Sequence, residues 1–124
     1  MENFRRQGPR IDVEALCWEV LDTGETSALA VDLSQGGVRI ERPYVGGRTP
    51  KVVPLQLEVP GIDEIMWARG HVAFAHLSPM GGRHRDGQPR LWCRAGIRID
   101  GAAGRDLRLL RDYVMAIAAP LAAP

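Results

Sequence analysis

Residues 27–42 read Ser-Ala-Leu-Ala-Val-Asp-Leu-Ser-Gln-Gly-Gly-Val-Arg-Ile-Glu-Arg, and this stretch decides the fold. An apolar run over 27–33 is followed by a second over 38–42, where Val38 and Ile40 alternate against Arg39. A period of two belongs to a strand with one buried face. Only Ser34-Gln35-Gly36-Gly37 separates the runs, which leaves room for a tight reversal and nothing more. The stretch is an antiparallel hairpin.

Working outward, residues 11–21 predict a long first strand with a bulge, joined to the hairpin through the turn Asp22-Thr23-Gly24-Glu25. Beyond a Gly-rich loop at 43–50, residues 52–59 alternate cleanly, so a fourth strand is expected there. Pro54 marks it as an edge or a bulge. A fifth strand is expected over 65–77 and a sixth over 91–99, separated by an exposed loop at 78–90. From about residue 103, Leu107, Leu110, Val114 and Ile117 recur at helical spacing, with Arg105, Asp106, Arg108, Arg111 and Asp112 mostly opposite. The expected class is mainly all-β: a six-stranded antiparallel barrel with one C-terminal α-helix. Residues 1–10 read as a flexible Arg-rich arm, 11–118 as barrel plus helix, and 119–124 as a frayed tail.

Length and composition narrow the function. A chain of 124 residues is one domain by length. No stretch approaches the roughly 18 apolar residues of a membrane span, and the first ten residues carry no apolar signal core, so no membrane is expected and the location reads as cytoplasmic. Cys17 and Cys93 lie in apolar strands outside any CxxC pair and read as reduced core residues. Fifteen of the sixteen basic residues are arginine, which grips phosphate with a planar fork and stacks on rings. A GC-rich genome produces the same bias. A net charge of +1 argues against a general nucleic-acid binder.

Two motifs stand out. Arg6-Gln7-Gly8-Pro9-Arg10 is an RxxxR preceded directly by Arg5, and Asp32-Leu33-Ser34-Gln35-Gly36-Gly37 is a DxSxxG crossing the hairpin, with residues 11–31 between them. Arginines on an arm can hold phosphate by bidentate hydrogen bonds. An Asp can accept hydrogen bonds from the N1–H and N2 amino group of a guanine. A Ser hydroxyl can donate or accept, and a Gly lets a ligand approach the backbone. RxxxR alone carries nothing, since Arg90 to Arg94 and Arg94 to Arg98 fit it too and read as alternating surface residues. His71, His76 and His84 lack partners at metal-ligand spacing, and Ser34 has no His nearby; neither a metal site nor catalysis is expected.

Order, spacing and placement on strands together resemble the PilZ family, whose signature is RxxxR followed twenty to thirty residues later by (D/N)xSxxG. RRQGPR resembles its arm, VDLSQGGVRI its second and third strands, and AGIRID its last strand. The resemblance implies a PilZ-like barrel that binds the second messenger cyclic di-GMP, is not an enzyme, needs no cofactor and signals to a protein partner. It implies ligand contacts at Arg5, Arg6, Arg10, Asp32, Ser34 and Gly37, with Arg39 and Phe74 as further candidates. Phe74 is either a stacking ring or a core aromatic. By the same resemblance, an arginine at position 5 implies two cyclic di-GMP molecules per chain. Two other functions remain open at this level: a ligand-independent PilZ-like adaptor, or a small nucleic-acid-binding barrel.

Overall fold

A computed structural model of the protein describes residues 10–21, 24–34, 36–44, 51–59 and 63–118. Its elements are β1 (Arg10–Leu21), β2 (Gly24–Ser34), β3 (Gly37–Pro43), β4 (Val52–Leu57), β5 (Met66–Arg83), β6 (Pro89–Ala102) and α1 (Gly104–Ala118). All strand pairs are antiparallel, and the sheet closes on itself in the order β1-β2-β3-β6-β5-β4. Closure removes the open edges that a flat sheet would expose. The chain order is therefore a meander, except that β6 inserts between β3 and β5.

Six strands enclose a narrow space, and the inward positions suit it. Ala15, Cys17, Ala28, Ala30 and Ala95 are small, while Leu33, Val38, Ile40, Val53, Leu55, Leu57 and Ile97 fill the remainder. Leu110 and Val114 of α1 join the same cluster. β6 delivers the chain to the end of the barrel where β1 begins and β2 finishes, and α1 packs there against β1 and β2. Asp106 in the first helical turn favours the helix dipole. Leu107 and Ile117, expected to face the core, are exposed, so the helix buries a narrower stripe than its periodicity suggested.

The expectation of a loop at 78–90 is corrected. β5 continues to Arg83 and β6 starts at Pro89, so the two strands form one long hairpin. The composition misled because Gly81 and Gly82 take positive φ (79° and 75°) inside an irregular strand rather than in a turn. The reversal itself occupies the next few residues: the His84 amide donates to the Gln88 carbonyl, and Arg83 Nη1 donates to the Gly87 carbonyl. Pro54 lies inside β4, opposite Arg69 and one residue past the last pairing with β1, Glu19 with Leu55. A missing N–H is tolerated at such a position.

One buried feature has no apolar counterpart. Glu19 on β1 and Arg42 on β3 point into the barrel and form an ion pair, with Arg42 Nε donating to Glu19 Oε1; they are only 1% and 7% exposed. Cys17 and Cys93 are buried and unbridged. Burial, with Glu19 nearby, pushes the Cys17 thiol up to about 12.

Candidate functional site

β-Bulges decide which side chains leave the barrel. On β2, Ala28 and Ala30 point inward, and an unbroken strand would send Asp32 inward as well. A register shift between Ala30 and Asp32 makes Leu33 the next inward residue and turns Asp32 out. On β5 the extra residue is Ala73, lying between the pairings Val72 with Ile97 and Phe74 with Gly96. Since Val38, Ile40, Ala95 and Ile97 are inward, Arg39 and Gly96 face out, and Phe74 with them.

The outer face then carries two adjacent rows. Asp12, Asp32, Arg39, Gly96 and Phe74 are successive cross-strand neighbours in one. Arg10, Ser34, Gly37, Arg98 and His71 are neighbours in the other. The site candidates within the described residues, Arg10, Asp32, Ser34, Gly37, Arg39 and Phe74, therefore meet on one patch from four strands. Arg5 and Arg6 lie outside the described residues.

Asp32 is the centre of charge in this patch. Arg39 Nη1 stands 4.0 Å from its Oδ2, at the outer limit of an ion pair, and the Asp32 side chain is 14% exposed. Burial pushes its carboxyl above the ordinary value; Arg39 and Arg10 pull it down, and Asp12 directly opposite pushes it further up. Its Oδ1 is buried and accepts no hydrogen bond among the described residues. A buried acceptor left unmade costs about 1–3 kcal/mol, so this oxygen is poised to receive a donor.

Ser34 is fully buried, and its hydroxyl lies 3.4 Å from the Gly37 carbonyl, to which it donates. It holds the β2–β3 reversal shut. Gly37, between Ser34 and Arg98 in the same row, is itself buried. Phe74 lies flat over Gly96: a Cβ there would collide with ring carbons Cδ1, Cε1 and Cζ. Glycine weakens a strand interior, and the ring covers the bare backbone. His76 packs beside that ring, with centroids 5.3 Å apart.

Three outer-face residues were not singled out as contacts from the sequence: Asp12, Gly96 and Arg98. Nothing local marks them, because their place follows from cross-strand register. Next to Arg98, Asp100 accepts hydrogen bonds from Arg69 and His71. Burial is the largest single influence on Asp100 and raises its pKa, but the hydrogen bonds and charges of Arg69 and His71 together outweigh it and hold the carboxyl below the ordinary value. Among the described residues no group of three His, Cys, Asp or Glu is arranged to hold a metal ion, and no helix is long and apolar enough to cross a membrane.

No protein-family profile matches the chain, and no curated protein matches it by sequence. Solved structures do. The chain is similar to the Bacillus subtilis inhibitor of motility MotI/DgrA (TM-score 0.68, 16% identity, covering 91% of this chain and 50% of that one). It is similar to the PilZ domain of Escherichia coli YcgR with cyclic di-GMP (TM-score 0.60, 15% identity, 90% of both chains). It is also similar to Borreliella burgdorferi PlzA in complex with cyclic di-GMP (TM-score 0.63, 6% identity, 92% of this chain and 53% of that one). The chain thus spans about half the length of MotI and PlzA and nearly all of the YcgR domain. At these identities the likeness establishes the architecture: the chain has a PilZ-like fold.

Proposed function

We propose that the protein is a receptor for cyclic di-GMP, which it takes up on the outer patch around Gly37. The observation that carries this reading is the buried, unpartnered Oδ1 of Asp32, set between Arg10 and Arg39. A guanine offers two adjacent donors to such a carboxylate, while a phosphodiester suits the arginines around it. Phe74 supplies a ring face at the end of the same row, on which a base can stack. The PilZ-like fold, seen with this ligand in YcgR and PlzA, supports the same reading.

In this account Arg5, Arg6 and Arg10 contact the ligand, and binding changes a surface read by a protein partner. The protein acts in the cytoplasm and catalyses nothing. Arg39 and Phe74 serve as contacts, Asp32 as guanine acceptor, and Ser34 with Gly37 as the shaped turn beneath.

Calorimetric titration with cyclic di-GMP, GTP and a short oligonucleotide tests the reading. The expected result is saturable binding of cyclic di-GMP alone, weakened about ten- to a hundredfold by Arg6→Ala or Arg10→Ala as charge-assisted contacts are lost. Binding of none of the three leaves a docking adaptor, and preference for the oligonucleotide indicates a nucleic-acid barrel.

A further inference from the structure

The barrel divides by charge. β4, β1 and β2 are neighbours in the closed sheet, and β3, β6 and β5 make up the rest of it. The first three strands hold five carboxylates and one basic residue, Arg10; the other three hold seven arginines and two carboxylates. No Lys, Arg or His occurs over residues 11–38 or 52–68. A net charge of +1 thus conceals an acidic half and a basic half. The acidic half is also apolar where it meets solvent. A strand of an antiparallel sheet with one wet face normally alternates apolar-in with polar-out. β1 departs from this: Ala15 and Cys17 point inward, yet Leu16, Trp18 and Val20 point outward. Leu16 and Leu29 are cross-strand partners, 50% and 39% exposed, and Trp18 lies half-buried beside them.

The margin of this apolar face is acidic. The Glu58 amide donates to the Leu16 carbonyl, which sets Glu58 beside that leucine, and Glu14 stands two residues back along β1. Both are exposed, and among the described residues neither forms an ion pair. Charge decides the occupant. An anionic bilayer or a nucleic acid brings phosphates toward these carboxylates and is repelled. A second copy seated by twofold symmetry sets the same carboxylates near one another, which is unfavourable. An occupant with apolar side chains at its centre and cations at its edge matches both features. We propose that the outer face of β1 and β2, centred on Leu16 and Leu29, docks a cationic amphipathic segment of a partner protein. Docking there needs no ligand on the Gly37 patch, so it stands apart from the receptor reading.

Leu77 supplies the control. It lies on β5, in the basic half, and at 49% it is as exposed as Leu16. The probe is a helical peptide of leucine and lysine, with the leucines along one face and a length of about fourteen residues, or about 20 Å. Its counterpart carries glutamate in place of every lysine. Both are titrated, without cyclic di-GMP, into the unsubstituted chain, Leu16→Ser with Leu29→Ser, Glu14→Gln with Glu58→Gln, and Leu77→Ser. The lysine peptide should bind the unsubstituted chain and Leu77→Ser alike, and the leucine pair about tenfold more weakly or worse as apolar contact is lost. The glutamine pair should bind it more weakly at low salt and respond less to added salt. The glutamate peptide should bind none of them. No binding of the lysine peptide, equal binding of the two peptides, or equal loss in Leu77→Ser and the leucine pair overturns the inference. Self-association of the unsubstituted chain in sedimentation, abolished by Leu16→Ser with Leu29→Ser, also overturns it by giving the face to a second copy.

Discussion

Asp32 works against the fold in order to serve the patch. Its carboxyl is raised chiefly by burial, so ionisation is disfavoured in the folded chain relative to the unfolded one. A raised acid contributes stability below its ordinary value and loses that contribution as pH rises through the raised one. At neutral pH the ionised side chain is therefore a net cost, and Asp32→Asn should leave the melting temperature unchanged or higher. Ligand donors bind the carboxylate form, so binding pulls the pKa back down. Affinity for cyclic di-GMP should thus weaken as pH falls through the raised value, with a proton released on binding near it. Calorimetry in buffers of different ionisation heat reads that proton, and Asp32→Asn should release none. Asp32→Ala should bind more weakly than Asp32→Asn; an equal loss in the two would assign Asp32 to the turn instead.

At the scale of elements, bulges and one glycine aim the site. Phe74 faces outward only because Ala73 is an extra residue on β5, and its ring lies flat only because Gly96 has no Cβ. Gly96 does not take a positive φ, so its backbone tolerates other residues and the ring alone demands the glycine. Gly96→Ala should lift the ring off the sheet and weaken cyclic di-GMP binding severalfold. In Phe74→Ala the same substitution should add nothing further. A double-mutant cycle of affinities checks this, and additive losses would separate the two residues. These elements also show how far a single sequence can be read. The hairpin at 27–42, the alternation of β4 and the amphipathic tail are local patterns, and each was legible. The patch needed register as well: Asp12 reaches Asp32, and Gly96 reaches Arg39 and Phe74, through pairings between strands far apart in the chain. The hairpin tip misled for a related reason, since Gly and Pro signal turns even where two strands remain paired.

The whole molecule couples a rigid barrel to a polar core contact that no periodicity announces. Glu19 occupies an inward position of β1 where an apolar residue would be expected, and among the described residues Arg42, reached across the barrel interior, accounts for it. Removing one partner strands a buried charge, which typically costs about 3–5 kcal/mol. Glu19→Gln should therefore lower unfolding stability by an amount of that order in urea titrations, and Glu19→Gln with Arg42→Met should recover part of it. A small loss in Glu19→Gln would show that water reaches the pair. Ligand number is also a property of the whole molecule. A second cyclic di-GMP adds two phosphates and two guanine faces, and Arg5 provides one more guanidinium for them. Titration at protein concentrations well above the dissociation constant should give two ligands per chain, and one for Arg5→Leu; a wild-type value of one would limit the site to a single ligand.

The central claim is that cyclic di-GMP lies on the outer face of the barrel over Gly37. Backbone amide NMR of the full chain, titrated with cyclic di-GMP, measures this residue by residue. The account predicts saturable shifts concentrated at Arg10, Asp32, Ser34, Gly37, Arg39, Phe74, Gly96 and Arg98, with the β5–β6 tip at Arg83 to Pro89 unmoved. An unchanged spectrum, or shifts gathered at that tip instead, would contradict it.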